Sequence, residues 1–174
     1  RDSDAGPAGK GAVRKMNRII LDRKKLISKV NSLKKAGKKI VFTNGCYDLL
    51  HVGHIRFLKA AKKLGDVLVL ALNSDASVRR IKGPSRPVVP ENERAELMSE
   101  LECVDLVTLF HEDDPYNIIS NLVPDVLVKG GDWALDKIIG ADIVLENGGK
   151  VRNIRYLKGK STTNVIRKVL ESYG

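Results

Sequence analysis

An uninterrupted apolar run, Val67-Leu68-Val69-Leu70-Ala71-Leu72, narrows the possible folds of this chain more than any other segment. Apolar residues that follow one another without alternation are typical of a strand buried on both faces of a parallel sheet. We therefore predict a strand that is buried on both faces over residues 66–73. Parallel strands need crossover connections, which are usually helices, so helical segments are expected on either side of it.

Strand patterns alternate with helical patterns along the rest of the chain. Strands are predicted at 39–43, 66–73, 104–110, 125–129 and 150–156, and helices at about 22–36, 54–64, 75–80, 90–101, 115–122, from about 135 to the turn at 147–149, and 162–172. This alternation predicts the α/β class, as a single domain with a Rossmann-like, doubly wound parallel sheet. In the helix over 90–101, Glu93, Arg94 and Glu96 are expected to face outward.

The charge of the chain is unevenly distributed. Its formal net charge is +10, and residues 1–39 contain 13 Lys and Arg against 3 Asp and Glu, whereas the remainder contains 18 of each sign. We interpret residues 1–15 as a disordered or cloning-derived tail, and residues 16–174 as the domain, with a basic, solvated helix at about 22–36. A nucleic-acid-binding module that uses this helix is the alternative. Duplex-binding surfaces usually need a basic face within the domain, so no nucleic acid partner is expected.

Neither a membrane anchor nor an export signal is evident in the sequence. No uncharged apolar run is long enough to span a bilayer, and residues 1–15 lack the apolar core of a signal peptide. The sequence therefore predicts a cytoplasmic protein without a membrane partner. Cys46 and Cys103 form no CxxC pair, so both are expected to be reduced thiols.

Two histidines, His51 and His54, lie where the first predicted strand gives way to a helix. A helix start offers free N–H groups and partial positive charge, and Gly53 between the histidines lets a ligand approach the backbone closely. Imidazoles add donors that are neutral or charged near neutral pH. The pattern predicts a site for the phosphates of a nucleotide. Two structural histidines remain an alternative, as does half of a zinc site, although no other Cys or His shows supporting spacing.

Hydroxyl and cationic side chains supply further candidates for anion binding. The segment Gly159-Lys160-Ser161-Thr162-Thr163 places three hydroxyls at a predicted helix start, and plain N-capping by Ser161 is the simpler alternative. Lys82 and Arg86 flank a proline-bound loop that either closes over an anionic substrate or is an ordinary surface loop. Lys129 ends a buried strand, and buried lysines need a partner.

Polar residues also follow the other predicted strands. Gly130-Gly131-Asp132-Trp133 offers a tight backbone and a carboxylate that suit a base or ribose, and the alternative is a simple turn with its tryptophan in the core. The Asp48 carboxylate could bind Mg²⁺ or a substrate hydroxyl. The alternative is that Asp48 only stabilises a turn. Asn73 and Asp75 follow the second strand. In parallel sheets, ligands bind beyond the carboxyl ends of the strands, so all these motifs are expected at one edge.

The motif TNGCYDLLHVGH resembles the cytidylyltransferase-like nucleotidyltransferases, which also carry a late Ser-Thr-Thr motif at a helix start. Within that superfamily, LNSDASVRRIKGPSRPV, LVKGGDW and GKSTTNVIRKV are most similar to the adenylyltransferase domain of the ADP-heptose synthase family, over about residues 26–170. The resemblance implies that ATP and D-glycero-D-manno-heptose 1-phosphate give ADP-heptose and pyrophosphate, with Mg²⁺, for bacterial surface polysaccharide. It also suggests a homodimer. Bifunctional members add a sugar kinase domain, so the chain is expected to be a stand-alone transferase or an excised part.

The resemblance implies a role for each motif. His51 and His54 would bind the ATP phosphates and, together with Lys82, stabilise the transition state. The nucleotide would be contacted by Thr43, Asn44, Gly45, Gly130, Gly131, Asp132, Ser161, Thr162 and Thr163. The sugar phosphate would face Asp48, Asn73, Asp75, Arg86 and Lys129, and Asp48 is also the candidate metal ligand. The nearest alternatives are sister transferases, such as glycerol-3-phosphate cytidylyltransferase or FMN adenylyltransferase, because these residues do not distinguish ATP from CTP.

Overall fold

The computed structural model of the protein describes residues 18–155 and 161–174. In chain order the elements are α1 (Arg23–Lys35), β1 (Ile40–Gly45), α2 (Val52–Lys62), β2 (Val67–Asn73), α3 (Asp75–Lys82), α4 (Glu91–Ser99), β3 (Leu106–Phe110), α5 (Tyr116–Leu122), β4 (Val126–Gly130), a short 3₁₀ turn (Leu135–Lys137), α6 (Ala141–Glu146), β5 (Lys150–Ile154) and α7 (Thr162–Tyr173). The predicted tail over 1–15, the Gly159-Lys160 part of the hydroxyl motif and the predicted end of the fifth strand at 156 lie outside the described residues.

The five strands form one parallel sheet in the order β3-β2-β1-β4-β5. The sheet grows outward from β1 in both directions, so the order reverses between β1 and β4. β1 pairs with β2 along its whole length, but with β4 only at Val41 and Phe42. The carboxyl-terminal halves of β1 and β4 therefore separate, which opens a crevice at the switch point where such sheets bind ligands.

Helices cover both faces of the sheet and bury β2, as predicted. Every residue of β2 is buried. One face packs against α1, α5 and α6, for example through Leu26 and Ile119, and the other packs against α2 and α4 through Leu58 and Met98. Each fully buried side chain of this size contributes about 1.5–3 kcal/mol of transfer free energy. The predicted single-domain α/β class with a doubly wound parallel sheet is confirmed.

Aspartates fix the amino-terminal edge of the sheet. Asp125 immediately precedes β4 and accepts a hydrogen bond from the Ile40 N–H of β1 at 2.7 Å. Asp105 precedes β3 and in the same way accepts from the Leu68 N–H of β2 at 2.6 Å. These carboxylates satisfy strand N–H groups at the ends of the ladders and thereby help to set the strand register.

Several predicted boundaries are wrong by a few residues. β1 extends to Gly45, two residues past its predicted end, because its pairing with β2 continues through Leu72. α2 begins at Val52, not at His54, so His51 is its N-cap and His54 lies in its first turn. The predicted helix from about 135 is a 3₁₀ turn followed by α6, because Gly140 adopts a left-handed φ of 82° between them.

A short segment before α1 extends the sheet at the β3 edge. Ile19 forms a parallel bridge with Val107, the Ile20 N–H donates to the Val107 oxygen at 2.9 Å, and the Val107 N–H donates to the Arg18 oxygen at 2.8 Å. The Arg18 guanidinium also donates to the backbone oxygen of Ser99 at 3.1 Å. This arrangement was not predicted, because three residues are too short for a strand pattern.

The last helix, α7, begins at Thr162 as predicted and has Ser161 as its N-cap. None of its residues is buried. Across the described residues, no helix combines the length and the apolar character that a transmembrane helix needs.

Candidate active site

The two histidines stack at the start of α2, beyond the carboxyl end of β1. Their ring centroids are 3.9 Å apart and their planes differ by 18°. The backbone N–H of His51 donates to Nδ1 of His54 at 3.4 Å, so a neutral His54 carries its proton on Nε2. Burial lowers the pKa of His54 to about 4, and the adjacent His51 acts in the same direction. His54 is therefore neutral at pH 7.

A buried tyrosine supports this pair. The Tyr47 ring is 7% exposed, and its centroid lies 5.0 Å from that of His54. Tyr47 has a left-handed φ of 47°, which turns its side chain back toward β1. A Cβ on Gly45 would lie 2.8 Å from the Tyr47 ring, so a glycine is needed there. Gly45 thus acts through Tyr47 on the position of His54. Tyr47 was missed from sequence, where only the glycine two residues earlier hints at its conformation.

The separated ends of β1 and β4 carry polar side chains. Lys129 of β4 donates to Oδ1 of Asn44 of β1 at 3.4 Å, across the crevice. Burial lowers the pKa of Lys129, and the neighbouring charge of Lys82 acts in the same direction. Thr43 is 1% exposed, and its hydroxyl has no hydrogen-bond partner within the described residues. The crevice therefore combines two amines with amide and hydroxyl groups.

The end of β2 contributes a more constrained set of residues. Asn73 is buried and donates through Nδ2 to the Ser77 hydroxyl at 3.0 Å. The Cys46 thiol lies 3.9 Å from Oδ1 of Asn73. Burial raises the pKa of Cys46, and both Cys46 and Cys103 are free thiols, as predicted. Asp75 forms an ion pair with Arg94 at 2.7 Å.

Arg94 contradicts its predicted position. Sequence placed it on the outer face of its helix, but its side chain is completely buried. It donates to backbone oxygens of Cys46, Asn73 and Val89 as well as to Asp75. A buried charge was not expected at this position. The available signal was the spacing, because Arg94 lies one turn before Met98 on the inward face of α4.

The hydroxyl motif lies beside the histidine segment. The Thr162 hydroxyl donates to the backbone oxygen of Leu49 at 3.3 Å, which places the start of α7 next to the connection between β1 and α2. Ser161 accepts from the Asn164 N–H at 3.1 Å, so the predicted N-capping is present. Thr163 is exposed. The start of α7 and the start of α2 thus lie on the same side of the molecule.

The glycine-rich segment after β4 forms a turn that is fixed to β5. The Gly131 N–H donates to the Ile154 oxygen at 3.0 Å, and Gly131 has a φ of 112° that favours glycine. Asp132 is exposed and lies 3.4 Å from Arg155. Trp133 donates to the Gly130 oxygen at 3.1 Å and is 55% exposed. The predicted alternative, in which the tryptophan lies in the core, is therefore excluded.

Comparison with known proteins identifies the family of the chain. The model of the cytidylyltransferase-like family matches residues 42–168. The chain belongs to the cytidylyltransferase-like family. This membership confirms that it is a nucleotidyltransferase, as the sequence resemblance implied.

Relatives of this cytidylyltransferase-like chain are longer proteins. It is 51% identical over 154 residues to Bifunctional protein HldE of Trichlorobacter lovleyi, which is 88% of this chain and 31% of that protein. It is 54% identical over 145 residues to Bifunctional protein HldE of Geobacter metallireducens, which is 83% and 30% of the two chains. The chain thus spans about 30% of the length of the curated relatives it matches.

Solved structures share the architecture. The lipopolysaccharide core biosynthesis protein from Thermoplasma volcanium is 36% identical with a TM-score of 0.56, over 71% of this chain and 100% of that chain. A pantoate-beta-alanine ligase from Francisella tularensis is 17% identical with a TM-score of 0.53, over 88% and 77% of the two chains. The second similarity concerns the fold alone.

Enzymes of this family generally use a nucleoside triphosphate and a divalent metal ion. Asp48, the predicted metal ligand, is buried, and its oxygens accept hydrogen bonds from the N–H groups of Val88 at 2.8 Å and Val89 at 2.9 Å and from Nε of Arg86 at 2.5 Å. Burial alone would raise the pKa of Asp48, but these bonds outweigh it and lower the pKa. Asp48 and Arg86 therefore already have partners.

The described residues do not form a preassembled metal site. Within 18–155 and 161–174, no three His, Cys, Asp or Glu side chains are grouped to hold a metal ion. The zinc alternative for His51 and His54 consequently lacks further ligands there. A metal role for Asp48 stays a prediction. The hydrogen bonds of Asp48 fit another role better, in which this carboxylate holds the loop after α3 in place.

Proposed function

We propose that this nucleotidyltransferase transfers adenylate from ATP to D-glycero-D-manno-heptose 1-phosphate and gives ADP-heptose and pyrophosphate. The carrying observation is the stacked pair of His51 and His54 at the start of α2, beside the crevice where β1 and β4 separate. The sequence resemblance to ADP-heptose synthases, together with HldE relatives at about 50% identity, supports this acceptor. The product would serve bacterial surface polysaccharide synthesis.

The reaction needs no nucleophilic side chain. An oxygen of the sugar phosphate attacks the α-phosphorus of ATP and forms a new P–O bond. The bond from the α-phosphorus to the bridging oxygen breaks on the opposite side, and pyrophosphate leaves. The protein supplies alignment and counter-charge. His54, whose neutral ring carries a proton on Nε2, is suited to donate to a phosphate oxygen as charge moves onto it.

The triphosphate would lie between the starts of α2 and α7. The start of α7 lies beside the connection that leads to α2. Each helix start offers backbone N–H groups and partial positive charge. We assign the α-phosphate side to His51 and His54 and the β,γ end to the hydroxyls of 161–163. Thr43, Asn44 and Gly45 would line the path between them, and the backbone of 130–132 would hold the nucleoside.

Lys129 and Lys82 are the candidates for the acceptor phosphate. A partly buried amine beside a second amine is poorly solvated, and Lys129 has an amide oxygen as its described partner. A phosphate would supply the missing negative charge. Asn73 would border the sugar. Asp48, Asp75 and Arg86 each have an ionic partner in the structure, so we propose that they shape this side of the site.

Mg²⁺ is the proposed divalent ion, because it is bound mainly through substrate phosphates and water when a protein offers few carboxylates. When bound, it would neutralise charge on the triphosphate. We assign it no protein ligand among the described residues.

A product assay tests the proposal directly. ATP or CTP is supplied with heptose 1-phosphate, glycerol 3-phosphate or FMN, and the nucleotide product is identified by mass. ADP-heptose is the expected product, formed only when ATP and heptose 1-phosphate are present together. A CDP-linked product, or transfer only to glycerol 3-phosphate or FMN, would replace the proposal with one of the sister activities. No nucleotide product with any pair would reject it. Omission of Mg²⁺ with added chelator is expected to abolish turnover.

A further inference from the structure

A single buried guanidinium joins the segments that surround the candidate site. Arg94 projects from α4 and is 0% exposed. Its Nε donates to the Val89 oxygen at 3.0 Å, its Nη1 donates to the Cys46 oxygen, and its Nη2 donates to the Asn73 oxygen at 2.9 Å and to Asp75 at 2.7 Å. The four acceptors belong to three separate stretches of chain, so this one side chain links all three.

Each of these stretches carries a residue of the proposed chemistry. Cys46 lies in the connection from β1 that leads to His51 and His54. Asn73 is the last residue of β2. Val89 ends the connection that begins at Lys82, the last residue of α3. The relative positions of the histidines and Lys82 therefore depend on bonds that converge on Arg94.

A second buried ion binds the same two connections from the other side. Asp48 is 2% exposed and accepts from the Val88 and Val89 N–H groups. Val89 is thus held at its N–H by Asp48 and at its oxygen by Arg94. The connection over 83–89 and the connection over 46–51 are cross-linked twice, by a carboxylate and by a guanidinium.

The physical cost of this arrangement suggests what it is for. An arginine cannot lose its charge inside a protein, so a buried guanidinium must have its donors satisfied. Apolar residues of similar volume often stabilise a protein as well as a buried ion pair does or better. A rigid fork that reaches several acceptors at once instead gives geometric precision, and a lysine amine lacks that fork.

We propose that Arg94 is a positioning residue that sets the distance between the histidine pair and the Lys82 connection. The proposal rests on the adenylyl transfer proposed above. Arg94 is fully buried and acts through the segments it holds. Its loss is expected to displace the reacting groups relative to each other, while the ATP phosphates still find the starts of α2 and α7. A misplacement of about 1 Å costs about 10²-fold in rate.

The test compares Arg94→Lys and Arg94→Met with Arg79→Lys, which changes an exposed arginine on α3. We expect kcat to fall about 10²-fold in both Arg94 variants, with KM for ATP changed less than about threefold. Arg79→Lys is expected to retain wild-type kcat. Hydrogen exchange should become faster at the Val89 amide, whereas the amides of β2 stay protected. An unchanged kcat in folded Arg94→Lys would overturn the proposal, as would a loss that only follows the folded fraction.

Asp48→Asn decides the question if both Arg94 variants fail to fold. It leaves the buried guanidinium in place and weakens the other cross-link to Val89. The same fall in kcat at nearly constant KM for ATP, not relieved by excess Mg²⁺ and accompanied by faster exchange at 83–89, supports positioning, and wild-type turnover overturns it. The assays use whichever nucleotide and acceptor the chain converts. If the chain converts no pair of nucleotide and acceptor, the proposed function is rejected independently of Arg94. Hydrogen exchange at the Val89 amide then decides whether Arg94 holds the connection over 83–89.

Discussion

His54 is the residue whose chemistry depends most closely on its surroundings. Its ring stacks on that of His51 and lies 5.0 Å from that of Tyr47. It is neutral at pH 7 because burial and the adjacent His51 lower its pKa to about 4. A neutral imidazole can donate to a phosphate without first losing a strong ion pair. Because His54 is neutral, it can receive an anion without first giving up a charge.

Replacement of His54 by alanine removes the donor and leaves the rest of the site in place. Loss of one well-placed donor to developing charge costs about 10²–10³-fold in kcat, and we expect a fall of at least that size. Circular dichroism should show a folded protein. His111→Ala, at an exposed histidine after β3, is the control and should keep its turnover. Near-wild-type turnover of the His54 variant would refute its role.

The pKa of His54 gives a prediction with a definite sign. An unfolded histidine has a pKa of about 6.5, so between pH 6.5 and 4 the unfolded chain binds more protons, and the free protein loses stability as the pH falls. A bound triphosphate should raise the pKa of His54. We expect NMR titration of its ring to give a pKa near 4 in the free protein and a higher value with ATP. No change on ATP binding would place the phosphates elsewhere.

Residue types in a pattern could be predicted from sequence, but their partners could not. The position of His51 and His54 between a strand and a helix was predictable, and their binding of phosphate stays a prediction. Arg94 was placed outside because charged side chains are rarely buried, and the carbonyl oxygens that compensate it come from distant segments. Asp48 was considered for metal because sequence does not show that the Val88 and Val89 N–H groups already occupy it.

At the scale of elements, strand register depends on the aspartates at the amino-terminal edge. Asp125→Ala would leave the Ile40 N–H without its acceptor in a partly buried position, which costs about 1–3 kcal/mol of unfolding free energy. The carboxyl end of the sheet is about one strand length away, so kcat per folded molecule should not change. Urea unfolding combined with the turnover assay measures both. Asp113→Ala, at an exposed aspartate, is the matched control. A large fall in kcat would show that register reaches the site.

The existence and order of the elements were predictable because the apolar runs are distinct. The ends of the elements were less predictable, because pairing with neighbouring strands determines where a strand ends. β1 continues to Gly45 only because β2 is there to pair with it. The start of α2 at Val52 depends on the conformation of His51 as N-cap, which propensity does not reveal. Both differences matter, because they set where the histidines face.

At the scale of the whole molecule, the excess positive charge belongs to residues 1–39, whereas the candidate site is built from residues further along the chain. Most basic residues of α1 are exposed, whereas Lys34 is half-buried and donates to the Leu122 oxygen at 2.8 Å. Leu26 and Val30 of the same helix belong to the core. Deletion of residues 1–39 would therefore expose the core and could not test nucleic acid binding cleanly. Charge reversal at exposed lysines of α1 avoids this problem.

Lys24, Lys25 and Lys29 are exposed and suit a combined change to glutamate. We expect melting temperature and kcat to remain close to wild type, because none of these side chains reaches the crevice between β1 and β4. Electrophoresis with RNA should show no specific complex for either protein. A salt-sensitive RNA complex that the triple variant loses would instead favour the nucleic-acid alternative. Homodimer formation stays a prediction, for which size-exclusion chromatography with light scattering is the measurement.

The three residues beside β3 have a consequence for the behaviour of the protein at high concentration. An outermost strand that displays open N–H and C=O groups invites pairing with other molecules. At Val107 both groups are hydrogen-bonded, the N–H to the Arg18 oxygen and the C=O to the Ile20 N–H. The Arg18 guanidinium also holds this segment in place by donating to the Ser99 oxygen. Shortened versions that begin at residue 21 should consequently aggregate more readily, even where their nucleotide chemistry is intact.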